Sequence, residues 1–141
     1  MVDKSNIFRN INKNLSGEDI MMLSPLQLAY IGDSVYELLV RTFLITKDIS
    51  VKDLHRATTK YVKAKAQAEF AHGLEDILTE DEKTLIKKGR NAKSHTSPKN
   101  ADIIDYKYAT GFECLFGYLY LMKQDKRIEE LFHELIKLDN R

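Results

Sequence analysis

Apolar residues recur every three or four positions along most of the chain, the spacing of helices that bury one face. Ser24 followed by Pro25 marks a helix start, because a capping hydroxyl precedes a proline whose missing N–H costs nothing at the first helical position. From there Leu28, Ile31, Val35, Leu38, Leu39, Thr42 and Phe43 repeat at helical spacing to about Thr46. Ser50 with Asp53 reads as a capping box opening a helix that runs to about His72, with Gly73 as its stop. Thr79 with Glu82 opens a shorter helix to about Lys88. The stretch GRNAKSHTSPKN, residues 89–100, has almost no apolar residue and breaks the pattern as a surface loop. An aromatic-rich helix is expected from about Ala101 to Met122, and Asp125 starts a last one with Ile128, Leu131, Leu135 and Leu138 on one face. A short helix is expected around Ile7 to Ile11, within a segment 1–20 whose order the pattern leaves open. With no alternating strand pattern, repeat or linker, the expectation is an all-α helical bundle, one domain over residues 1–141.

Composition narrows the function classes. Lys plus Arg is 22 and Asp plus Glu is 21, so the net charge of +1 excludes a uniformly basic coat. The single cysteine, Cys114, cannot form a disulfide within the chain, and the four histidines are scattered without zinc spacing. The N-terminus lacks a signal-peptide stretch and no run of ~18 apolar residues could span a bilayer, so a reduced, cytoplasmic protein without a membrane is expected. The near-neutral total hides asymmetry. Residues 83–100 contain Lys83, Lys87, Lys88, Arg90, Lys93 and Lys99 and no acid, a local +6. Residues 52–65 carry Lys52, Arg56, Lys60, Lys63 and Lys65 against Asp53, a local +4. Such segregation suits a polyanion, with Arg90, Asn91, Lys93 and Lys99 as contacts from the loop and Lys60, Lys63 and Lys65 from the other segment. A solvated helix face with a mobile loop is the plainer alternative.

Two acids sit where acids are costly. Asp33 lies mid-helix in LAYIGDSVYELL beside Gly32, and both residues weaken a helix interior. Glu113 is the only charged residue between Lys107 and Lys123. Pointed into one cleft, the pair would bind a divalent cation such as Mg²⁺ through hard oxygen donors. Otherwise each is neutralised by Arg41, Lys65 or a helix cap. Glu37, one turn after Asp33, either assists the site or pairs with Arg41 at i+4, the second being favoured. Tyr106, Tyr108, Phe112, Phe116, Tyr118 and Tyr120 are dense enough to read as core or helix interface rather than base-stacking platforms.

The segment LAYIGDSVYELLVR resembles the signature helix of the ribonuclease III catalytic-domain family, and FECLFGYLYL resembles that family's second acidic helix. DLHRATTKYVKAKAQAEF and KKGRNAKSHTSPKN look like the mini-ribonuclease III branch, which consists of the catalytic domain alone; the likeness covers roughly residues 20–138. It implies a Mg²⁺-dependent endoribonuclease of double-stranded RNA that works as a homodimer, with Asp33 and Glu113 as catalytic metal ligands. Glu37 and Thr110 would support them, and Tyr30 and Ile31 would lie at the dimer seam. The branch's role implies maturation of large-subunit (23S) ribosomal RNA precursor as the task. The wider family carries acids at the positions of Ala29 and Thr110, and the mini branch shares both losses, which leaves a thinner acidic site. A domain that grips RNA or a ribosomal particle without cutting it is the rival expectation.

Overall fold

Residues 7–93 and 102–139 are described by a computed structural model of the chain, and among them every regular element is helical. The helices are α1 (Ile7–Asn10), α2 (Gly17–Met21), α3 (Pro25–Leu44), α4 (Val51–Val62), α5 (Ala64–Gly73), α6 (Glu80–Asn91), α7 (Ile103–Leu121) and α8 (Asp125–Asp139), with a 3-10 turn at Glu75–Ile77. The expected starts are built as the sequence implies. Ser24 and Gln27 form a reciprocal capping box at α3, Ser50 accepts the Asp53 N–H at α4, and Thr79 and Glu82 form a second box at α6. The short helix expected around Ile7 is α1.

Three boundaries differ from the pattern. The single helix expected over residues 50–72 is two, because Lys63 is extended (φ −65°, ψ 152°). Its N–H still closes α4 on the Thr59 carbonyl, and its own carbonyl accepts the Gln67 N–H of α5. Neither proline nor glycine causes this break. α4 packs on α3 while α5 packs on α7, and the chain turns at Lys63 to serve both. Gly89 does not stop α6, which runs on to Asn91. A Cβ on Gly89 would lie 2.6 Å from the Gly111 Cα, so this glycine provides close approach of α6 to α7, not a turn. The remainder of the expected loop, residues 94–100, lies outside the described residues and takes Lys99 with it. Finally, α2 is an addition to the expected elements, although Ser16 and Asp19 form a capping box there.

The core gathers around α7, which packs against α3, α5, α6 and α8. This helix is apolar nearly all round, as a central helix must be. Phe112, Leu115, Phe116 and Leu119 meet Tyr36 and Val40 of α3, Phe70 of α5, and Leu131 and Leu135 of α8. Tyr36 stands edge-on to Phe112 with ring centres 4.8 Å apart, and its buried hydroxyl donates to the Tyr61 carbonyl at 3.0 Å. The aromatics Phe112 and Phe116 are therefore core, as their density suggests.

Candidate active site

The packing of α3 on α7 decides where the two acids sit. A Cβ on Gly32 would fall 1.7 Å from the Glu113 carbonyl oxygen, and one on Gly117 would fall 2.0 Å from the Leu28 carbonyl oxygen. Only paired glycines let the two backbones touch. Gly32 therefore bears on the backbone of Glu113, and the next residue, Asp33, brings its side chain to the Glu113 side chain, where the two carboxyls share a hydrogen bond. The helix-propensity penalty at Gly32 thus has a packing cause.

Glu113 is half-buried and Asp33 exposed, so one carboxyl is set in the wall and the other opens to solvent. Burial is the main cause that pushes the Glu113 carboxyl up to about 8, and the adjacent Asp33 charge and hydrogen bond add to it. A hydrogen bond from the Gln67 amide of α5 acts the other way, favouring the carboxylate. The Asp33 charge beside it disfavours the ionised form of Glu113, a penalty that a divalent cation between the two would offset. Among the described residues no lysine or arginine forms an ion pair with either acid. The alternative in which each is neutralised by its own basic partner is therefore not what the fold builds. Nor does a third His, Cys, Asp or Glu join them in a cluster among those residues. Ala29 and Thr110 are both buried, and the Thr110 hydroxyl donates to the Tyr106 carbonyl of its own helix at 3.1 Å. Two hard carboxylates with no cationic neighbour form a donor set that fits a divalent cation.

The other expected residues scatter around this centre. Glu37 pairs with Arg41 across one helical turn at 3.1 Å, so its carboxylate is engaged on the α3 surface. Tyr30 is 81% exposed on α3, whereas Ile31 is half-buried and reaches toward Gly117 of α7. Arg90 is half-buried at the end of α6, where its guanidinium donates to the Tyr108 hydroxyl at 3.1 Å and to the Asn91 side chain at 3.1 Å. Asn91 and Lys93 are exposed beyond it. Lys60, Lys63 and Lys65 line one surface cleft of about 380 Å³ together with Glu69 and Asp139. The residue missed by sequence reasoning is Gln67, which sits in AKAQAEF between lysines and a glutamate and reads there as surface, yet is 2% exposed.

Likeness to known proteins extends over most of the chain. The Ribonuclease III domain family model matches residues 26–124. Mini-ribonuclease 3 of Clostridium tetani is 46% identical over 130 residues, covering 91% of this chain and 86% of the relative. Mini-ribonuclease 3 of a Thermoanaerobacter species is 49% identical over 118 residues, covering 83% of each. A crystal structure of a Fusobacterium nucleatum protein superposes with a TM-score of 0.76 at 29% identity, covering 86% of this chain and 98% of that one. With a family model spanning most of the helical core and close likeness over nearly the full length, this chain belongs to the ribonuclease III family of endoribonucleases, alongside the mini-ribonuclease 3 proteins.

Proposed function

We propose that this protein cleaves double-stranded RNA by phosphodiester hydrolysis, that Asp33 and Glu113 hold the Mg²⁺ ion it needs, and that large-subunit ribosomal RNA precursor is its substrate. The observation that carries the reading is the side-chain pairing of Asp33 with Glu113, unopposed by any basic residue among those described. A bound divalent cation supplies charge neutralisation at the phosphate and acidification of a water. The chain's own residues do the rest. Asp33 and Glu113 would present carboxylate oxygens to the cation from the α3–α7 junction. The Gln67 amide of α5 favours the ionised form of Glu113. Arg90, held by Tyr108, and the exposed Asn91 and Lys93 contact backbone phosphates, as do Lys60, Lys63 and Lys65 from α4 and α5. A-form RNA is gripped mainly through phosphates and 2′-hydroxyls, which needs such scattered cations rather than a base-reading groove. A homodimer with Tyr30, 81% exposed on α3, and Ile31 at its seam would set two such centres against opposite strands of one duplex. On this reading residues 1–141 work as one catalytic unit in the cytoplasm.

The test is incubation of the purified protein with long duplex RNA and Mg²⁺, with EDTA as control. Fragments are expected only with the cation. Glu113→Gln keeps the shape and loses the charge; it is expected to lower cleavage by ~10³-fold, because several kcal/mol of transition-state stabilisation depend on the cation. Duplex binding and the melting temperature should survive. Cleavage at the normal rate would overturn the role of Glu113, and intact duplex with the unaltered protein would favour the rival domain that grips RNA without cutting it.

A further inference from the structure

Among the described side chains read as phosphate contacts, Lys60, Lys63, Lys65, Asn91 and Lys93 are exposed, and Arg90 alone is half-buried. Its place follows from a helix crossing. A Cβ on Gly89 would lie 2.6 Å from the Gly111 Cα, and one on Gly111 would lie 2.4 Å from the Ile86 carbonyl oxygen, so α6 and α7 touch through their backbones there. Arg90 follows Gly89 directly, and Tyr108 precedes Gly111 by less than one helical turn. The crossing therefore sets the Arg90 guanidinium beside Tyr108. Its Nη1 donates to the Tyr108 hydroxyl at 3.1 Å, and the guanidinium carbon lies 5.5 Å from the ring centre, within cation–π reach. Its Nε donates to the Asn91 side chain at 3.1 Å. The Tyr108 ring is backed in turn by His72 of the last turn of α5, with ring centres 4.3 Å apart. Three helices thus converge on one cation, less than two turns along α7 from Glu113.

A guanidinium carries five N–H donors; these two hydrogen bonds leave the others for a ligand. Both partners are neutral, and no ion pair among the described residues includes Arg90. The contacts fix the direction of the charge without cancelling it. A long side chain that must be ordered when it meets a phosphate weakens binding by the rotamer freedom it loses. Here that ordering is done on folding. We infer that Tyr108 is a positioning residue for substrate binding: its hydroxyl, on a ring steadied by His72, holds the Arg90 guanidinium in one orientation so that its remaining N–H groups meet a phosphate of the duplex. The inference rests on the reading of Arg90 as a phosphate contact and adds what prepares it. Tyr108 itself touches no RNA in this scheme.

The experiment measures duplex binding in EDTA across a salt series for the unaltered protein, Tyr108→Phe, Arg90→Met and the double variant. Tyr108→Phe keeps the ring and removes the hydroxyl. It should weaken binding ~3–10-fold, the effect of ordering one long side chain on association. The slope of log affinity against log salt should stay as it was, because the charge is still present. Arg90→Met should weaken binding and reduce that slope by about 1. In the Arg90→Met background, Tyr108→Phe should change nothing further, an outcome that neither a structural hydroxyl nor one bonded directly to RNA would give. In cleavage with Mg²⁺, Tyr108→Phe should raise KM by the same factor and leave kcat unaltered. Normal affinity in Tyr108→Phe would overturn the inference. So would an equal loss in both backgrounds, and a melting temperature lowered alongside it would identify the hydroxyl as structural. If Arg90→Met leaves affinity and slope intact, the phosphate reading of Arg90 fails first. If it lowers both while Tyr108→Phe is without effect, only the role of Tyr108 falls.

Discussion

Gly32 sets how closely α3 lies on α7, since a methyl group there would overlap the Glu113 carbonyl oxygen and force the two helices apart. Gly32→Ala is expected to cost more than ~3 kcal/mol of stability, the upper range for overpacking where neither backbone can yield, and to abolish cleavage. Gly17→Ala, with nothing within 4 Å of the added carbon, should move stability by less than ~0.5 kcal/mol. Urea unfolding of the two variants checks the contrast; a mild effect at Gly32 would mean the helices separate easily. Asp33 and Glu113 were legible in the sequence because their cost is local: an acid in an apolar helical run advertises itself. Gln67 was not legible, because glutamine is a good helix former and its neighbours Lys65 and Glu69 are exposed. Its burial comes from α7, which is distant along the chain, and no local rule encodes that.

Helix starts were readable for the same reason that helix breaks were not. Capping at Ser24, Ser50 and Thr79 is settled within four residues, whereas the break at Lys63 and the passage of α6 through Gly89 are dictated by what each helix packs against. The α6 cap also reaches outward. Glu82 closes its capping box with Thr79 and receives two hydrogen bonds from Arg127 of α8, at 2.9 and 2.8 Å, while the same guanidinium donates to the Ile77 carbonyl at 2.7 Å. Burial alone would raise the Glu82 carboxyl, but the bonds from Arg127 and the Thr79 backbone outweigh it and hold the group below its ordinary value. The lowered value means the ionised form favours folding: this contribution is complete above the ordinary carboxyl value of 4.5 and is lost as the pH falls through the lower folded value. Arg127→Met should lower stability by about 2–3 kcal/mol near pH 7, since it leaves a buried carboxylate unpaired. The gap between variant and normal protein should close as the pH drops below that range, as measured by urea unfolding across pH. A gap that stays constant would remove the ion pair as its cause.

Taken as a whole, the molecule joins a near-neutral total charge to separated basic stretches, so its grip on a polyanion must be local. Removing the charges of Arg90 and Lys93 is expected to weaken duplex binding and to reduce the slope of log affinity against log salt by about 1 for each phosphate no longer neutralised. Binding measured across a salt series decides it, and an unaltered slope would shift the grip to Lys60, Lys63 and Lys65. No helix among the described residues is long and apolar enough to cross a membrane. The basic stretches were visible in sequence as charge counts, but the tether of Arg90 to Tyr108 was not, because it joins the end of α6 to the first turns of α7 across a stretch with no apolar periodicity to set the distance.

The central position of α7 has a consequence for how such a protein can change over generations. The helix that presents Glu113 is also the one that most of the apolar interior rests on. A substitution that retunes the chemistry is therefore felt by the interior, and one that repacks the interior displaces the chemistry. Latitude is left to the periphery, to α1, α2 and the outer faces of α4 and α8, and novelty in what the protein recognises has to be acquired there while the middle stays fixed.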